Sequence, residues 1–112
     1  MRLLAAFPLL IGSATAMAAI QQDRAITMNV EEAADTITVT LRGHSAIDQQ
    51  VSYELSLEGR STSRHKGRTH LAAGQDAVLS TMRMSAAEPW CIRAAITEAD
   101  GTAYEYAEGT CD

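Results

Sequence analysis

Residues 36–41 read Thr-Ile-Thr-Val-Thr-Leu, polar and apolar in strict alternation. A period of two belongs to an extended strand with one buried face, because successive side chains leave a pleated backbone on opposite sides. The pattern returns at Val51, Tyr53, Leu55 and Leu57, and again at Trp90, Ile92, Ala94 and Ile96 behind Pro89. Tyr104 and Tyr106 mark a further strand, and weaker ones are expected over residues 24–30 and 77–84. In the last of these Val78, Met82 and Met84 are placed on one side, while Leu79 breaks the alternation. Turn dipeptides separate the runs at Arg42-Gly43, Glu58-Gly59, Ala73-Gly74 and Asp100-Gly101. No segment carries sustained helical spacing with a cap and a stop. With the basic segment after Gly59 counted as a strand, the reading is an all-β, seven-stranded, immunoglobulin-like antiparallel β-sandwich. Trp90 is its expected core anchor, since no other side chain here buries as much apolar area.

The first eighteen residues stand outside that pattern. Met1-Arg2 is a short positive start, residues 3–11 are apolar, and Ala16-Met17-Ala18 offers the small-x-small pattern of a cleavage site. This is the layout of a secretory signal peptide, too short to span a bilayer. Its removal from a chain of 112 residues leaves 94, expected to form a single domain, residues 19–112. Arg2 leaves with it, so eight Lys and Arg remain against fourteen Asp and Glu, a net charge of −6. An exported chain of that charge repels nucleic acid and anionic membranes, and no later stretch is apolar enough to insert in a bilayer. An exported protein, free of the membrane in its mature form and monomeric, is expected.

Both cysteines, Cys91 and Cys111, lie in the exported part. An even count in an oxidising compartment favours a structural disulfide over two free thiols or a redox pair, and the twenty-residue spacing is unlike CxxC or CxC. If Asp100-Gly101 is a tight hairpin turn, residues whose numbers sum to 201 or 202 face each other, which sets Cys91 almost opposite Cys111.

Catalytic signatures are absent: no GxSxG, HExxH, P-loop or GxGxxG occurs, and no cofactor is expected. His65 and His70 are five apart and point to opposite faces of a strand, so a metal site would need His44 or a carboxylate brought in from elsewhere; none is expected. Glu31, Glu32 and Asp35 read as a solvated turn rather than an acid/base group.

The segment RSTSRHKGRTH, residues 60–70, concentrates half of the exported positive charge, with no carboxylate between Gly59 and Gln75. At strand spacing Arg60, Thr62, Arg64, Lys66, Arg68 and His70 share one face, a positive ribbon about 26 Å long from Arg60 to Arg68 if unbroken. The other row, Ser61, Ser63, His65, Gly67 and Thr69, buries little, so the strand belongs at a sheet edge or turns into a loop near Gly67. Charge on an edge blocks pairing with other chains, and it also attracts an acidic partner. Both readings stand on the sequence. Nucleic acid is excluded by the net charge and by the lack of an aromatic side chain for base stacking.

The run Tyr53-x-Leu55-x-Leu57-x-Gly59, the Ser/Arg-rich segment ending at Gly67, Leu71-Ala-Ala-Gly74-Gln75 and Leu79-Ser80 together resemble the curli assembly chaperones of the CsgC/CsgH group. Trp90, Asp100-Gly101 and Tyr104 extend the likeness, which is closer to the CsgH branch and covers residues 24–108. The resemblance implies a periplasmic, ATP-independent chaperone that keeps unfolded curli-type subunits from forming amyloid before secretion. The CxC pair of the CsgC branch is missing, which weakens a thiol–disulfide oxidoreductase role. The reading is therefore a non-enzymatic chaperone, with Arg60, Arg64, Lys66 and Arg68 as the subunit-binding residues. An exported adaptor or ligand-binding domain remains the alternative.

Overall fold

The computed structural model describes residues 24–111; the expected signal peptide at residues 1–18 lies outside them. Seven strands appear among the described residues: β1 (Ile26–Ala33), β2 (Thr36–His44), β3 (Gln49–Glu58), β4 (Thr62–Leu71), β5 (Asp76–Ser85), β6 (Cys91–Thr97) and β7 (Ala103–Gly109). They form two antiparallel sheets, one ordered β1-β2-β5 and the other β4-β3-β6-β7. In the constant-type immunoglobulin sandwich the fourth strand sits in the first sheet beside the fifth. Here β4 pairs with β3 and becomes an edge of the four-stranded sheet.

The alternating rows meet between the sheets. Ile26, Ile37, Val39 and Leu41 come from one side, and Val51, Leu55, Ile92 and Ile96 from the other, all at most 1% exposed. Branched aliphatic side chains on two facing pleats interdigitate without a large aromatic ring. Trp90 is accordingly not the core anchor. It stands one residue before β6, is only partly buried, and packs its ring against Gly109 at one end of the sandwich.

Three further expectations change. Gly43 does not make a turn: β2 runs through it, because its missing Cβ leaves room for Leu71 and Leu79, whose methyl carbons would lie 2.8 and 2.9 Å from that atom. In β5 the register slips between the partners of Leu41 and Arg42, so that Ser80 and Val78 face consecutive residues. This bulge turns Leu79 toward the core and throws Val78 to the opposite side from Met82 and Met84, where it is 55% exposed. The last hairpin is not a two-residue turn. Thr97 pairs with Ala103 around a loop in which Glu98 N–H donates to Thr102 O (2.8 Å) and Asp100 accepts the Thr102 N–H (2.9 Å). Hydrogen bonding from Thr102, its backbone N–H first, holds the Asp100 carboxyl below its usual pKa. Cys91 therefore faces Gly109, and Cys111, two residues on, reaches back to close the disulfide with the Cα atoms 5.0 Å apart.

A cluster of tyrosines closes one open side of the sandwich. Tyr104 donates to Glu98 Oε2 (2.5 Å), which also accepts Ala25 N–H (2.9 Å); Ile26 N–H donates to the Tyr104 oxygen (3.1 Å). Tyr106 donates to Ile26 O (2.6 Å), and the Arg24 guanidinium lies 4.6 Å from the Tyr104 ring centre. Edge strands β1 and β7, from different sheets, are thus tied together. Burial, reinforced by the Glu98 carboxylate, raises the Tyr104 pKa well above its usual value, so the phenol keeps its proton.

Candidate functional site

The basic segment forms one uninterrupted strand. Gly67, where a loop was expected as one alternative, lies in the middle of β4 opposite Tyr53. The Tyr53 ring packs over the hydrogen of Gly67; a Cβ there would lie 2.7 Å from ring Cε1 and would overlap Cζ and the hydroxyl. Tyr53 is 8% exposed, donates to Leu79 O across the sandwich (3.3 Å), and has the His65 ring 5.8 Å away. An aromatic ring covering an edge glycine supplies the contact that the glycine cannot make. Edge strand and core are joined here and again at Leu71, 1% exposed, at the end of β4.

The register fixes which face each side chain takes. Ser63, His65, Gly67 and Thr69 pair with Leu57, Leu55, Tyr53 and Val51 and so lie on the core side. Thr62, Arg64, Lys66, Arg68 and His70 pair with Glu58, Ser56, Glu54, Ser52 and Gln50 and lie on the outer face, all exposed. Arg64 to Arg68 is then a continuous cationic stretch about 13 Å long. Arg60 is not on it. It stands in the turn between β3 and β4, with its guanidinium 3.7 Å from Glu88, so the strand carries three of the four cations expected together. No hydrogen bond or ion pair engages the Arg64, Lys66 or Arg68 side chain among the described residues. Glu54, directly opposite Lys66, is the nearest carboxylate in the register.

A feature that the sequence reading missed lies beside this row. The outer face continues across β3, β6 and β7 through Ser52, Ser56, Ala95, Thr97, Ala103 and Ala107. These alternate with the charged Glu54, Arg93 and Glu105, and Ser52, Ala95 and Thr97 leave a shallow depression bounded by Glu54, Lys66 and Arg68. Its signal is present in the sequence as small residues at alternate positions, but only the strand order sets them side by side. His65 lies on the core side and His70 outside, on the opposite faces their spacing predicts. No group of three His, Cys, Asp or Glu side chains placed to hold a metal occurs among the described residues. His44, considered as a distant third ligand, instead pairs with Asp76 (2.8 Å). The disulfide is closed, it includes both cysteines, and it fits an oxidising compartment.

No protein-family model matches the chain, and a search of curated proteins finds no match. Solved structures do match. A solution structure of CsgH from R. palustris aligns at a TM-score of 0.52 and 15% identity, covering 75% of this chain and 89% of that one. The E. coli curli protein CsgC aligns at a TM-score of 0.52 and 18% identity, covering 73% of this chain and 94% of its own. The resemblance of strand and turn residues met in the sequence is thus matched in three dimensions over the described strands, and the chain has the antiparallel β-sandwich fold of CsgH and CsgC.

Proposed function

We propose that this protein is an exported, ATP-independent chaperone that delays amyloid assembly of curli-type subunits, acting by binding and not by catalysis. The observation that carries the proposal is a sheet edge with three unpaired cations on a sandwich of the CsgH and CsgC fold. The reading places the mature chain, residues 19–112, in the periplasm as a monomer. A disulfide and a signal-like N-terminus support that location.

An amyloid subunit grows by adding strands to an exposed edge. An edge lined with Arg64, Lys66 and Arg68, with Arg60 close by, attracts an acidic unfolded subunit while offering no apolar surface on which a fibre could start. Each exposed charge contact contributes at most about 1 kcal/mol and is screened over about 10 Å at moderate salt. Binding is therefore weak and transient, as suits a factor that must release its subunit for secretion.

The test is a thioflavin time course of a curli-type subunit with substoichiometric amounts of this protein. A lengthened lag that shortens as salt is raised is expected. Reversing the charges (Arg60→Glu, Arg64→Glu, Lys66→Glu, Arg68→Glu) is expected to abolish the delay and leave the circular dichroism spectrum unchanged. Absence of any delay at equimolar protein would reject the chaperone reading, and a delay retained in the reversed variant would reject these four residues as its site.

A further inference from the structure

Two independent turns reveal which backbone groups of β4 face outward. In an antiparallel ladder the N–H and C=O of one residue point to the same neighbour, and alternate residues point the other way. Gly59 N–H donates to Ser61 O (3.0 Å) on the β4 side, so the odd-numbered residues of β3 turn toward β4. At the other side of the sheet, Glu98 N–H reaches Thr102 O, and Trp90 O accepts Thr110 N–H (2.7 Å). Even-numbered residues of β6 therefore turn toward β7 and odd-numbered ones toward β3, where they meet Ser52, Glu54 and Ser56. This leaves the odd-numbered residues of β3 for β4 and gives the same result as the first turn. By register, Ser63, His65, Gly67 and Thr69 bond to β3. Arg64, Lys66 and Arg68 present their own N–H and C=O groups, as well as their charges, at the open edge.

The other edges offer nothing equivalent. Strands β1 and β7 are held to each other by the Tyr104 and Tyr106 hydrogen bonds, and β5 is interrupted by its bulge. Strand β4 has ten residues without a bulge or proline. Together with charge complementarity, the geometry points to β4 as an acceptor for one further β-strand: an extended acidic segment whose carboxylates recur at every second residue. In such a pair the residues opposite Arg64, Lys66 and Arg68 share their face of the sheet, at the same spacing of about 6.7 Å. Side chains on the segment's other face lie beside Ser63, His65, Gly67 and Thr69, where small polar residues fit and no apolar anchor is available. This deepens the proposed chaperone reading and rests on its assignment of β4 as the contact surface. It adds backbone pairing and a sequence pattern to simple attraction of charge.

The test uses a short capped peptide alternating Asp and Thr, and a control of the same composition with the Asp residues in one block. Hydrogen exchange of the labelled protein is followed by NMR. The alternating peptide is expected to slow exchange of the Arg64, Lys66 and Arg68 amides, which face solvent when the edge is free. The ladder-bonded amides of His65 and Gly67 should change little, and the block peptide should bind several-fold more weakly. Lys66→Ala removes a charge and should weaken binding about two- to fivefold. Lys66→Pro also removes the outward N–H and should cost about a further fivefold, while the fold survives because no ladder bond is lost. Equal affinity for the two peptides, unchanged exchange at Arg64, Lys66 and Arg68 in the presence of bound peptide, equal binding by the two Lys66 variants, or no binding at millimolar peptide would each overturn strand addition. Such a result together with a retained thioflavin delay leaves the chaperone reading standing. Peptide pairing without any delay refutes the chaperone reading and keeps the strand acceptor.

Discussion

Gly67→Ala is the most direct test of how the cationic edge is built. Alanine in an extended strand ordinarily stabilises by about 0.4–1 kcal/mol relative to glycine, through the entropy of the unfolded chain. Here the added methyl meets the Tyr53 ring, which cannot withdraw easily: it is 8% exposed and hydrogen-bonded to Leu79 O. Overpacking of this kind costs about 1–3 kcal/mol. The balance is a net loss of about 1.5 kcal/mol, which in a domain of this size lowers Tm by roughly 6–12 °C. Urea denaturation of the wild type, Gly67→Ala, Tyr53→Leu and the double variant forms a cycle. The clash is with the ring, so in the Tyr53→Leu background the alanine should be neutral or stabilising, giving a coupling of about 1–3 kcal/mol. Additive effects, with the alanine equally costly in both backgrounds, would show that Tyr53 is not what keeps glycine at this position.

Three more outcomes follow from the fold. The Tyr104 pKa is raised in the folded state, so the folded protein binds a proton that the unfolded chain gives up; its contribution is present below about pH 10 and lost as pH rises beyond it. Denaturation midpoints should fall from pH 9 to 11 in the wild type and fall less in Tyr104→Phe, which should itself cost about 2 kcal/mol for the lost bond to Glu98. Replacing Cys91 and Cys111 by alanine should cost about 3 kcal/mol in thermal or urea unfolding, and the native protein should show no free thiol under denaturing conditions. The bulge in β5 predicts that Val78→Lys changes stability by less than about 0.5 kcal/mol, while Leu79→Ala costs about 2 kcal/mol; the reverse order would place the bulge elsewhere.

Much of the architecture is legible in the sequence because two-residue periodicity and burial are the same constraint. Ile37, Val39, Leu41, Val51, Leu55 and Leu57 alternate with polar residues and all end in the core. The readings that fail do so where a residue's role depends on a neighbour from a distant segment. Gly43 reads as a turn but serves the packing of Leu71 and Leu79. Val78 reads as core until the register with β2 slips. Trp90 has the largest ring and the poorest position, at the end of a strand row instead of its middle.

The cationic segment divides in the same way. Its composition, its two-residue spacing and its lack of carboxylates are local properties of the chain, so a one-sided row from Arg60 to His70 is expected from sequence alone. Strand order decides the rest. Pairing with β3 in the four-stranded sheet makes β4 an edge, and Tyr53 carries the strand unbroken past Gly67. The β3–β4 turn takes Arg60 out of the row toward Glu88. Local alternation specifies a strand and its two faces; which neighbour it bonds, and which of its own hydrogen-bonding groups remain open, is fixed only when distant strands come together around a common core.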